Sequence, residues 1–66
     1  MQIKINGKEK SVDSEISLSG LLDKYNLESA SVMVEVNECV IPETAYCQTK
    51  LQPGDCLELV EFVAGG

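Results

Sequence analysis

Histidine is absent from the 66 residues, tryptophan likewise, and the aromatic side chains are limited to Tyr25, Tyr46 and Phe62. Without His the chain lacks the commonest metal ligand and the usual general base at neutral pH, so zinc chemistry and His-based hydrolysis lose their most natural residue. Basic side chains are also scarce: five against eleven acidic ones leave a formal net charge of −6. That balance opposes binding to nucleic acid or an anionic membrane and favours a basic protein partner. No long apolar run is present. The opening MQIKINGKEK offers neither a signal-peptide core nor a membrane span, and a cytoplasmic location is expected. A chain of this length makes one domain that buries about 60% of its unfolded surface. Its core has little room for a ligand pocket of about 300 Å³ or more, so function is expected from a surface or a chain end.

Cysteine is present but in an odd number. Cys39, Cys47 and Cys56 follow neither C-x-x-C nor zinc-ribbon spacing. They are too few for the four thiolates of a plant-type iron–sulfur cluster, and their number fits a reducing compartment better than a disulfide framework. Since free Cys is among the most buried residue types, each is expected as small apolar filler rather than as a nucleophile.

What the chain does contain is a regular succession of short elements. QIKINGKEKSV places β-favouring segments on either side of Asn6-Gly7, a dipeptide suited to a type I′ hairpin, with Ile3, Ile5 and Val12 sharing one face. ISLSGLLDKYNL then changes period and aligns Leu18, Leu21, Leu22 and Tyr25 on a helical face. Ser17 is the expected N-cap, Ile16 and Leu21 a hydrophobic staple, and Asn26 with Leu27 a left-handed stop. Gly20 inside this helix costs about 1 kcal/mol relative to Ala, which predicts a close approach of helix to sheet. Val32 to Val36 reads as a strand with Val32, Val34 and Val36 inward. A turn at Asn37 to Cys39 and a short return strand at Val40-Ile41 follow, ended by Pro42. Glu43 to Gln52 is irregular, and Pro53-Gly54 suits a type II turn before a final strand. The pattern predicts an α+β fold, a mixed four- or five-stranded sheet on one helix with the first and last strands central. The expected core is Ile3, Ile5, Leu18, Leu21, Leu22, Val34, Leu57 and Leu59.

The last strand, CLELVEFV, is the informative one. If Leu57 and Leu59 face the helix, Glu58, Val60 and Phe62 face the other side, which a single helix cannot cover. These three residues are the expected partner-docking patch. Immediately after them comes VAGG. A Gly-Gly pair at a given position arises by chance in about 0.5% of chains, so the pair asks for a reason. Glycine has no Cβ and threads narrow channels, which marks Ala64, Gly65 and Gly66 as a flexible segment of a single domain spanning 1–66.

Taken in order, Asn6-Gly7, SGLLDKY, VEVNECVIP, LQPGD and LVEFVAGG resemble the ThiS family, the β-grasp sulfur carriers of thiamin biosynthesis. The resemblance implies a ubiquitin-like β-grasp fold and a protein that is not itself an enzyme. It implies that the carboxylate of Gly66 is adenylated, with ATP and Mg bound by an E1-like (ThiF-type) adenylyltransferase, and converted to a thiocarboxylate. A sulfur donor system would supply the sulfur, and a thiazole synthase (ThiG-type) would receive it, with no cofactor bound to the carrier. Three alternatives stay open at this level: a molybdopterin-type sulfur carrier, a ubiquitin-like protein modifier, and a non-catalytic β-grasp interaction module.

Overall fold

A computed structural model describes residues 1–62 of the chain. Asn6 and Gly7 take φ angles of 51° and 83°, the positive pair that a type I′ turn demands. They fold strand β1 (Gln2–Ile5) back on β2 (Lys8–Ser11) as an antiparallel hairpin. All of β2 is exposed, and its alternating Lys and Glu mark it as a charged edge that resists pairing with a foreign sheet. Past β2 the apolar alternation resumes at Val12, which is buried. Its N–H donates to Met1 O at 2.9 Å and its carbonyl accepts from the Met1 amino group at 2.6 Å.

Helix α1 (Leu18–Lys24) begins where Ser17 Oγ accepts the Gly20 N–H at 3.0 Å, satisfying one of the free donors of the first turn. It ends where Asn26, at φ 57°, reverses the chain. Leu27 N–H then donates to Leu22 O at 2.8 Å and Asn26 N–H to Asp23 O at 3.1 Å, the two bonds of a Schellman motif. Leu18, Leu21 and Leu22 are fully buried. Tyr25, expected on the same face, is the C-cap residue and is 37% exposed, because the helix finishes at Lys24 and the chain turns outward there. Gly20 also differs from expectation: a Cβ at this position would lie 3.2 Å from Ile16 Cγ1 and 3.3 Å from Ser17 Oγ. The crowding comes from the cap and the residue before it, not from the sheet.

Strands β3 (Val32–Val36) and β4 (Cys39–Ile41) form a second hairpin about Asn37 and Glu38, both at positive φ. Strand β5 (Cys56–Glu61) follows a turn in which Asp55 N–H donates to Gln52 O at 3.1 Å and Asp55 Oδ2 accepts from Gln52 N–H at 2.8 Å. β5 pairs in parallel with β1 and antiparallel with β3, giving the order β2-β1-β5-β3-β4. The sheet therefore joins two hairpins through β5, with β1 at its side, as the hydrophobic pattern predicts.

Leu57 is buried as expected, but Ile5 and Leu59 are only half-buried. The reason is size. The seven residues of α1 rise about 10 Å and the helix is about 10 Å wide, whereas five strands span roughly 19 Å. The remainder of the inner face is covered by Val12, Tyr46 and Leu51, all buried. Tyr46 and Leu51 come from the stretch read as irregular. That stretch is stitched to the start of the helix by Leu18 N–H on Thr49 O and Leu51 N–H on Ile16 O, each at 2.9 Å.

Candidate functional site

Alternation along β5 sends Leu57 and Leu59 towards α1 and Glu58 and Val60 to the opposite face. Phe62 N–H donates to Ser31 O at 3.0 Å, so the ladder with β3 runs one residue past β5 and Phe62 shares the side of Val60. In register, Val60 lies opposite Met33, Glu58 opposite Glu35, and Glu35 opposite Val40 on β4. Met33, Val40, Val60 and Phe62 are 43%, 59%, 50% and 50% exposed. Together they make an apolar patch across three strands, on the face away from the helix. Contiguous exposed apolar side chains of this kind mark interaction surfaces. The two carboxylates set among them lie directly opposite each other, an arrangement that costs stability on its own and complements a basic partner.

The structure thus gathers Glu58, Val60 and Phe62 on one exposed face. Met33 and Val40 belong with them and were missed. The signal existed for Met33, because inward Val32 and Val34 force the residue between them outward. The expected filler role of the cysteines is overturned: Cys39, Cys47 and Cys56 are all exposed. Cys56 stands on the outer face of β5, Cys39 opens the edge strand β4 and Cys47 lies in a loop, positions where core packing is not on offer. Ala64, Gly65 and Gly66 lie outside the described residues.

β5 itself is gripped from both sides by side-chain amides of the two hairpin turns. Asn6 Nδ2 donates to Leu59 O at 3.1 Å while its Oδ1 accepts the Leu59 N–H at 2.8 Å. Asn37 Oδ1 accepts the Cys56 N–H at 3.0 Å and its Nδ2 donates to Asp55 Oδ1 at 3.1 Å. Both residues hold left-handed backbone angles, which Asn tolerates better than most side chains. Each turn therefore closes its own hairpin and also fixes the strand that leads to Gly66.

Gln2, Ile3, Lys4, Glu9, Gly54 and Cys56 line a depression of about 180 Å³, below the roughly 300 Å³ at which ligand pockets begin. Among the described residues no group of three or more His, Cys, Asp or Glu side chains is placed to hold a metal ion. No helix among them is long and apolar enough to cross a membrane.

Known proteins share this architecture. The crystal structure of the thiamine biosynthesis protein (ThiS) from Geobacter metallireducens superposes with a TM-score of 0.84 at 30% identity, both chains being covered in full. The sulfur carrier protein ThiS of Bacillus subtilis is 34% identical over 65 residues, 97% of this chain and 98% of that one. A thiazole synthase of Paramagnetospirillum magneticum is 35% identical over all 66 residues, which span only 20% of its length. The ThiS family model matches residues 3–66; with its ubiquitin-like β-grasp sheet wrapped on one helix, the chain belongs to the ThiS family.

Proposed function

We propose that this protein is a sulfur carrier of thiamin biosynthesis, a co-substrate consumed and regenerated by its partners and not itself an enzyme. The observation that carries the reading is the near end-to-end match to a protein named as a sulfur carrier, 97% of this chain against 98% of that one. The match of the family model through residue 66 includes the Gly-Gly pair. In this reading an oxygen of the Gly66 carboxylate attacks the α-phosphorus of ATP on an E1-like adenylyltransferase, and pyrophosphate leaves. The acyl-adenylate then loses AMP to a sulfur nucleophile from a donor, leaving a thiocarboxylate. A carboxylate is a poor acyl donor until one oxygen becomes a good leaving group, and the partner's cationic site and Mg stabilise the charge that develops. The patch of Met33, Val40, Val60 and Phe62, with Glu35 and Glu58, docks the activating enzyme, while Ala64 and Gly65 carry the terminus into its active site. The receiver of the sulfur is a thiazole synthase, a reading supported by the thiazole synthase whose length includes a segment similar to this chain. The exchange takes place in the cytoplasm.

The test is intact-protein mass spectrometry after incubation with adenylyltransferase, ATP and a sulfur donor. The parent should exchange one oxygen for one sulfur at Gly66, located by fragmentation. Deleting Gly66 withdraws the carboxylate by about 3.5 Å, enough to lower the rate about 10²-fold, and extending the chain blocks it. An extended variant that retains its added residues and still gains the sulfur would overturn the assignment to Gly66. Lysine conjugates in place of a thiocarboxylate would turn the reading to a protein modifier.

A further inference from the structure

On the approach to the tail, β5 loses one of its two neighbours. β1 is registered with β5 only at Cys56 and Leu57. Asn6 extends the contact by two residues, its backbone N–H donating to Leu57 O at 2.9 Å and its side chain bracketing the backbone of Leu59. The chain then turns away into β2. On the other side β5 stays paired with β3 as far as Glu61, opposite Val32, and Phe62 N–H still reaches Ser31 O. Along a strand the N–H and C=O groups of successive residues point to alternate sides. Leu57 and Leu59 direct theirs towards β1, and Phe62 directs its N–H towards β3. Glu61 has the parity of Leu57 and Leu59, so its N–H and C=O face the lane that β1 has vacated. Among the described residues no strand occupies that lane.

We propose that the enzyme that activates the terminus lays an extended segment of its own chain in this lane, adding a short strand to β5 at Glu61. The inference rests on the reading of Gly66 as the loaded group. Three features choose the occupant. The Asn6 side chain closes the ladder at Leu59, so the open edge begins only where β5 leads on to the residues that enter the partner. A partner strand there is continuous with the docking of those residues. Pairing with a second copy is opposed by charge: a two-fold arrangement about Glu61 sets two Glu61 carboxylates opposite each other, in chains of net charge −6 each. Finally, strand addition uses main-chain hydrogen bonds and fixes the backbone just ahead of the tail. This limits sideways drift of the reacting carbon, to which rates are steeply sensitive. The segment that fits is an extended stretch with a basic side chain beside Glu61.

The experiment removes the Glu61 N–H from the lane; the accompanying change, a weaker ester carbonyl at Val60, falls on the β3 side. Residues 47–66 are synthesised and ligated to residues 1–46 at Cys47, with the amide nitrogen of Glu61 replaced by an ester oxygen. The control places the ester at Phe62, whose N–H belongs to the sheet. Loading by the adenylyltransferase is followed by mass, alongside thermal unfolding. The Glu61 ester should load with about tenfold lower kcat/KM, the factor carried by one good hydrogen bond, with most of the change in KM and with a thermal midpoint near that of the ligated parent. The Phe62 ester should lower the midpoint instead. Equal loading of the Glu61 ester and the ligated parent would overturn the added strand alone. Failure of the ligated parent to gain sulfur would overturn the reading of Gly66 together with it. A parent that sediments as a dimer, split to monomers by the Glu61 ester, would assign the lane to a second copy and equally overturn the proposal.

Discussion

Tyr46 carries a hydroxyl into the core and satisfies it there, donating to the Val32 carbonyl at 3.0 Å. Burial raises its phenol above the ordinary value, and the Glu43 carboxylate adds in the same direction. A group that holds its proton more tightly in the folded state stabilises the fold below its unfolded pKa, about 10 for tyrosine. That contribution is lost as pH rises through the folded value. Urea unfolding followed by circular dichroism should therefore show stability falling above about pH 10. Tyr46→Phe should remove this alkaline slope and cost about 1 kcal/mol at neutral pH through the unpaired Val32 carbonyl. A slope that persists unchanged in Tyr46→Phe would show that Tyr46 is not its source. Nothing in the local sequence announces this residue: Ala45, Tyr46, Cys47 and Gln48 keep neither a helical nor a strand period. Its burial follows from the space a short helix leaves over a wide sheet, a quantity no single stretch of sequence contains.

Elements were legible where their ends carry chemistry of their own. Asn6-Gly7 announces the first hairpin, Ser17 and Asn26 bound the helix, and Leu57 with Leu59 sets the register of β5. The limits of that legibility are as physical as its successes. The i, i+7 spacing of Leu18 and Tyr25 holds only while the helix lasts, and α1 stops one residue short of Tyr25. An average burial preference predicts buried cysteines, whereas an edge strand, an outer face and a loop decide their exposure. The second hairpin is a weaker signal than the first, because Glu38 sits at φ 70° where the first turn has glycine. Left-handed backbone costs an L-residue with a Cβ about 1 kcal/mol. Glu38→Gly should accordingly stabilise the fold by about 0.5–1 kcal/mol, read as a higher urea midpoint with an unchanged denaturant slope. A lower midpoint would show that the Glu38 side chain contributes more than its backbone strain removes.

At the scale of the molecule, the face proposed for docking sets stability against recognition. Glu35 and Glu58 are cross-strand partners of like charge, and neutralising one should help the isolated fold while harming its encounter with a basic partner. Glu58→Gln is expected to raise stability by about 0.2–1 kcal/mol and to lower the association rate with the activating enzyme at low salt. Phe62→Ala should act mainly on the dissociation rate. Stopped-flow association at two salt concentrations checks both, and a Glu58→Gln variant that binds as fast as the parent would remove the acidic pair from the encounter. The strand order has a consequence for how the protein comes into being. β5 is translated after the other four strands, yet it is the seam between β1-β2 and β3-β4. Before it emerges, the nascent chain holds two separate two-stranded ribbons, each marginal in water, and the contacts that join them bridge the sequence from Ile5 to Leu57. Folding cannot run ahead of translation. A chain truncated before β5 is therefore expected to stay open to proteolysis.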